Sequence, residues 1–160
     1  MKKLTAFISV ILSLIPIWQP LFIKTGLVLS SSTFILSLPE KVIAKSAYSY
    51  FTNGLDKVKK KDYYGAISDL NKAIKIDPNF AQAYHWRGLA KLRINDFSAA
   101  LLDINKTLQF LPNDEFVWGS LGLVEMARGD MKSACFAWRK ASALGYENAT
   151  KWVNKSCIGK

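Results

Sequence analysis

Few side chains in this sequence could do chemistry, and they are widely spaced. His85 is the only histidine among 160 residues, so a histidine-based metal centre would need carboxylates from distant segments, and no spacing assembles one. There is no G-x-S-x-G, no P-loop and no H-E-x-x-H. Asp62, Asp96 and Asp130 form a carboxylate series, but they stand 34 residues apart. Each precedes an apolar stripe of helical period, where a carboxylate accepts the orphan amide hydrogens of a helix's first turn. Cys135 shares a column with Ile67 and Leu101 and so fits a small core residue. Neither it nor Cys157 has a histidine near in sequence to make it a nucleophile. The expectation is a non-enzymatic protein with no cofactor and no metal site.

The 34-residue step that separates the aspartates organises the chain. Gly54, Gly88 and Gly122 keep it, as do Ala66, Ala100 and Ala134, the aromatic series Tyr50, Tyr84 and Trp118, and Pro78 with Pro112. Each unit carries two apolar stripes joined by a turn before the Asp, which is the pattern of a helical hairpin. Helices are predicted near Ala47–Lys60 and Tyr63–Ile76, near Ala81–Ile94 and Phe97–Phe110, and near Glu115–Arg128 and Met131–Leu144. Ser46 or Ser49 is placed to cap the first. Glycine inside a helix costs about 1 kcal/mol against alanine, and close approach of the paired helix at the alanine column gives the reason. Asp77-Pro78 and Leu111-Pro112 end the second helices, because the residue before proline avoids the helical region.

A helix-turn-helix of this period with these small residues resembles the tetratricopeptide repeat family. The resemblance implies an all-α fold: a right-handed superhelix of three repeats, 47–80, 81–114 and 115–146, plus a capping helix, 147–157. It implies binding rather than catalysis, with the first helices of successive repeats lining a concave groove for a protein or peptide partner. Carried over residue by residue, the groove positions are Tyr48, Phe51, Leu55, Gln82, His85, Trp86, Leu89, Phe116, Ser120 and Leu123. A subgroup of the family grips the carboxylate tail of chaperones with Lys, Asn and Arg at the places held here by Phe51, Leu55, Trp86, Phe116 and Ser120. None is kept, which argues against a chaperone tail and for an apolar segment held by aromatic anchors, although some of these aromatics could instead be core. Two columns depart from the family pattern. Lys57, Lys91 and Glu125 replace a large residue, and Asn53 and Arg87 stand where an aliphatic one is common.

At the end of the array, Ala149, Trp152, Val153 and Cys157 fall on one face of an amphipathic segment and Thr150, Lys151, Asn154 and Lys155 on the other, as an end cap requires. The segment from Ala134 to Cys157 looks like the terminal unit of exported bacterial tetratricopeptide proteins with a cysteine at each of these two places. With a turn near Gly145, helical rise brings Cys135 and Cys157 to similar height. The resemblance and an exported setting favour a Cys135–Cys157 disulfide over two separate thiols.

Residues 1–46 stand outside the repeats. After Lys2 and Lys3, the run Leu4 to Ile23 is almost wholly apolar, and a second apolar run, Gly26 to Leu38, follows. A basic start before an apolar stretch is the pattern of an export signal. Two forms stay open: a long cleaved signal ending at Ala44-Lys45-Ser46, or a retained membrane anchor. Both place the repeats beyond a membrane, in the periplasm or another extracytoplasmic space. The formal charge is +10, of which +4 lies in the first 46 residues. Lys57, Lys59, Lys60 and Lys61 cluster at a helix end, where positive charge suits the dipole, and a solvated end explains them better than a binding patch. With no basic stripe along the groove and with an export leader, nucleic acid is not the expected partner. The leading function is an envelope interaction module, and the alternative is a membrane-tethered subunit packed permanently in a complex.

Overall fold

Three aspartates set the rhythm of the fold. In the computed structural model, which describes residues 40–158, Asp62, Asp96 and Asp130 each precede a helix. Their side chains accept the amide hydrogens of Gly65, Ala99 and Ser133 at 2.9, 3.2 and 3.0 Å. The helices are α1 (Glu40–Lys59), α2 (Tyr63–Ile76), α3 (Ala81–Arg93), α4 (Phe97–Phe110), α5 (Glu115–Arg128), α6 (Met131–Ala143) and α7 (Glu147–Ser156). No strand occurs among the described residues.

Successive helices pair as hairpins, α1 with α2, α3 with α4 and α5 with α6, and the second helix of each hairpin packs on the first helix of the next. The first helices also touch one another, α1 with α3 and α3 with α5. They therefore form one layer, and α2, α4 and α6 form the other. This is the all-α solenoid that the repeat predicts, and from α2 onward the helix bounds agree with expectation to within one residue.

α1 is the exception, since it begins at Glu40 rather than Ala47. The stretch from Glu40 to Ala47 contains neither proline nor glycine, so nothing in it interrupts a helix. Ser46 and Ser49, expected to cap the helix, lie inside it instead. The two apolar runs, Leu4 to Ile23 and Gly26 to Leu38, expected to form a leader, fall outside the described residues.

Within each repeat the turn closes in the same way. The amides of Asp62, Asp96 and Asp130 reach back to the carbonyls of Lys57, Lys91 and Glu125 at 2.9, 3.0 and 2.9 Å, a Schellman closure. It puts Lys61, Asn95 and Gly129 in the left-handed region, with φ of 61°, 62° and 89°. Only the third repeat supplies the residue that adopts this conformation freely.

Inside the hairpins, Ala66, Ala100 and Ala134 are fully buried and let the paired helices approach. Gly54, Gly88 and Gly122 lie on the facing side, where they meet chiefly the larger residue one turn beyond the alanine: Leu70, Ile104 and Trp138. The end cap forms as the pattern requires. Ala149 and Cys157 are buried, and Trp152 and Val153 pack against the cluster around Trp138. Thr150, Lys151, Asn154 and Lys155 face solvent.

Candidate functional site

Because α1, α3 and α5 lie side by side, residues in one column of the repeat become neighbours across the layer. Leu55, Leu89 and Leu123, 34 residues apart, are all half-buried and make a leucine row. Tyr48, Gln82 and Phe116 form a second row that is open to solvent, with Tyr48 60% and Phe116 55% exposed at its ends. Half-buried His85 and Trp86 stand between them, ring centroids 6.2 Å apart.

Two of the ten positions expected to line the groove do not present themselves. Phe51 is buried against Leu70 and Ala83, its ring 4.9 Å from that of Phe80. Ser120 is buried, and its hydroxyl donates to the Phe116 carbonyl at 2.9 Å. That leaves the serine oxygen to accept from His85 Nε2 at 2.8 Å. Burial lowers the His85 imidazole below its ordinary value, opposed by the charge of Asp114, so the ring is neutral near pH 7. With the serine proton committed to a backbone carbonyl, the pair ties α3 to α5. Phe116 packs at 5.1 Å on Tyr146, which covers Gly119. None of the ten side chains carries a formal charge at neutral pH.

Lys57, Arg87 and Lys91 in the unusual columns are explained by buried carboxylates that sequence reading passed over. Lys57 and Lys72 bind Asp69 at 2.6 and 3.0 Å. In the next repeat Arg87 grips both oxygens of Asp103, at 2.8 and 2.5 Å, while Lys91 reaches the same carboxylate at 2.8 Å. Arg87 also donates to Asn71 of the preceding repeat at 2.6 Å, which joins two units. The hydrogen bond from Lys57, supported by that from Lys72, holds the Asp69 carboxyl below the usual carboxylate range despite burial. The same bond raises the Lys57 ammonium.

In the third repeat both columns change together. Glu125 takes the Lys place and Ala137 the Asp place. Buried Glu125 Oε2, 3.5 Å from Arg128 Nε, has no hydrogen-bond partner. The signal was available in the sequence as a Lys column and an Asp column 12 residues apart that keep step.

At the far end, Cys135 and Cys157 face each other with Cα atoms 5.6 Å apart and sulfurs 2.02 Å apart. No cluster of histidine, cysteine or carboxylate side chains suited to a metal ion occurs among the described residues.

The sequence model of the TPR repeat matches residues 54–95, most of the first hairpin unit and the first helix of the next. Residues 54–95 thus carry the sequence of a tetratricopeptide repeat, and the described helices repeat the same hairpin before and after it. No curated protein sequence matches it. Among solved structures it is similar to the first TPR of Spaghetti (RPAP3) bound to HSP90 peptide SRMEEVD, with a TM-score of 0.68 at 21% identity over 71% of this chain and 92% of that one. The Arabidopsis OM64 TPR domain gives 0.65 at 21% identity over 71% and 98%. The N-terminal domain of stress-induced protein-1 (STI-1) from C. elegans gives 0.63 at 16% identity over 71% and 95%. At such identities the likeness is one of fold. The tetratricopeptide fold is a protein-interaction fold.

Proposed function

We propose that this protein is a non-enzymatic module that seats an apolar segment of a protein partner along Leu55, Leu89 and Leu123, between Tyr48 and Phe116. The observation that carries this reading is an uncharged leucine row with an exposed aromatic at each end. The similar Spaghetti structure is bound to an HSP90 peptide, SRMEEVD, whose sequence is acidic. An acidic tail would find no cation at Phe51, Leu55, Trp86, Phe116 or Ser120, so a chaperone tail is not the ligand here. Aromatic side chains that become buried in an interface are common anchors, worth about 2 kcal/mol or more where they are hot spots.

The test is site-specific photocrosslinking in the native host. A photoreactive residue at Gln82 should capture a partner that one at Lys75, on the other layer, does not. Tyr48→Ala with Phe116→Ala should abolish the capture. Equal capture from both positions, or capture indifferent to the double variant, would refute the groove.

The leader supports work beyond a membrane, with Cys135 and Cys157 joined, since their Cα separation of 5.6 Å lies in the range for disulfides. The tethered-subunit reading gains from one observation. α1 begins at Glu40, so cutting before Ala47 would remove its first seven residues. An intact-mass spectrum with and without reductant decides between the two forms. A chain starting near Ala47 that gains two hydrogens on reduction is a cleaved, oxidised module. A full-length chain in the membrane fraction is a tethered subunit.

A further inference from the structure

The outer layer has a charge pattern that the groove does not use. On α2, α4 and α6 the described cations are Lys72, Lys75, Lys106, Lys132, Arg139 and Lys140, and all except half-buried Lys106 are exposed. Lys72, Lys106 and Lys140 occupy one column, 34 residues apart. The only carboxylates on these helices, Asp69 and Asp103, are buried and bound by Lys57, Lys72, Arg87 and Lys91. The acids that precede the helices, Asp62, Asp96 and Asp130, are occupied as caps.

Large apolar side chains stand among these cations. Leu102 is 71% exposed and Phe136, one repeat later in the same column, is 58% exposed. On α6, Lys132, Phe136 and Arg139 are spaced to share one helix face. Beside them a cleft of about 280 Å³ is lined by Met131, Lys132, Cys135, Arg139, Ser156 and Cys157.

We propose that the outer face of α4 and α6 docks on an anionic lipid bilayer, with Phe136 and Leu102 entering the headgroup region and the cleft between Lys132 and Arg139 taking a lipid phosphate. Cations surrounding exposed apolar side chains match the interface of a charged membrane, which attracts the first and accommodates the second. A single-stranded nucleic acid would use the cations, but it would need a stacking face for each successive base, and here Phe136 stands alone while Leu102 offers none. The proposal is independent of what the groove holds.

The test uses the full chain, leader included, on vesicles of phosphatidylcholine alone and of phosphatidylcholine with phosphatidylserine, read by the acetylation of individual lysines. A leader that inserts in both vesicles then does not affect the comparison. Lys106, Lys132 and Lys140 should become protected on the anionic vesicles only, while Lys60 and Lys61, in a hairpin turn, stay reactive on both. Protection should disappear at about 1 M salt, where the screening length is only about 3 Å.

Read as the protection of Lys106 on anionic over neutral vesicles, Lys132→Gln with Arg139→Gln and Lys140→Gln should weaken the preference for anionic vesicles about 100-fold, from about fivefold per cation. Phe136→Ser should weaken it about tenfold. These side chains are exposed, and an unchanged circular dichroism melt shows that each variant is folded. Equal lysine reactivity on both vesicles overturns the proposal, as does an unchanged preference in the triple variant. Protection by single-stranded RNA but not by vesicles would overturn it in favour of nucleic acid, and equal protection of the three lysines by soluble glycerophosphoserine with no vesicles present would overturn it in favour of a free phosphoester.

Discussion

Gly54, Gly88 and Gly122 hold one column of the repeat, yet replacing each by alanine should have three different outcomes. Alanine gains about 1 kcal/mol of helix propensity at any of them, so the surroundings decide the sign. At Gly88 a new Cβ would meet the terminal Cδ1 of Ile104 at 3.1 Å and the Ala100 carbonyl at 3.2 Å. A shift of a few tenths of an ångström accommodates it, and Gly88→Ala should stay within about 1 kcal/mol of the parent. At Gly54 the contact is Leu70 Cγ at 2.9 Å. This is a branch carbon of a fully buried side chain, and overpacking of that kind should leave a net loss of about 1–2 kcal/mol. At Gly122 the methyl would fall inside the indole ring of buried Trp138. The ring has no free volume to move into, because Trp152 lies against it at 5.5 Å. Gly122→Ala should therefore cost about 3 kcal/mol or more, which moves a urea midpoint by roughly 1–2 M. Urea unfolding followed by circular dichroism gives the ranking, and amide hydrogen exchange should place the Gly122→Ala loss in α5 to α7. A Gly122→Ala protein as stable as the parent, or a Gly88→Ala protein equally damaged, would refute the reasoning.

The buried carboxylates give a second comparison. Asp103→Ala strands Arg87 and Lys91, whose side chains are 15% and 18% exposed, and should cost about 3–5 kcal/mol. Asp69→Ala should cost clearly less by the same urea assay, since Lys57 and Lys72 are 38% and 53% exposed and return to water. Glu125→Leu should raise stability by about 1 kcal/mol, because it removes a buried oxygen without a partner. If Cys135 and Cys157 are joined, reduction or Cys135→Ala with Cys157→Ala should cost about 3 kcal/mol for a separation of 22 residues, seen as a lower melting temperature. Neutral His85 makes stability depend on pH. Its folded pKa lies below the unfolded value near 6.5, so its contribution is complete above about pH 6.5 and falls as the pH drops toward the folded value. His85→Gln should flatten that slope in urea titrations between about pH 7.5 and 5.

Much of the fold was legible because a repeat displays its own register. Five columns at one offset located the hairpins, the aspartate caps and the proline stops, and each of these is a local interaction between residues only a few positions apart. The first helix escaped at its start because Glu40 to Ala47 belong to no column, and only the absence of a helix breaker marks them. The groove was legible as a set of columns but not as a surface. The family resemblance placed Phe51 and Ser120 in the groove with Leu55 and Phe116, and it could not reveal that Phe80 covers one or that His85 and Phe116 engage the hydroxyl of the other. The buried Asp69 and Asp103 were missed because an aspartate in a helix reads as solvated until the basic side chains that reach it from another helix are known.

The sequence by itself determined the period, the helix pairing, the small residues where helices meet, the apolar face of the end cap and the absence of charge at the groove positions. These follow from spacing along one chain and from the chemistry of single side chains. The tertiary structure decided which of two residues in the same column is exposed, which carboxylate is neutralised, which glycine has room for a methyl group and where the unpaired cations gather. Each of those depends on atoms brought close from positions 12 to 35 residues away, and at that separation packing rather than periodicity sets the distance.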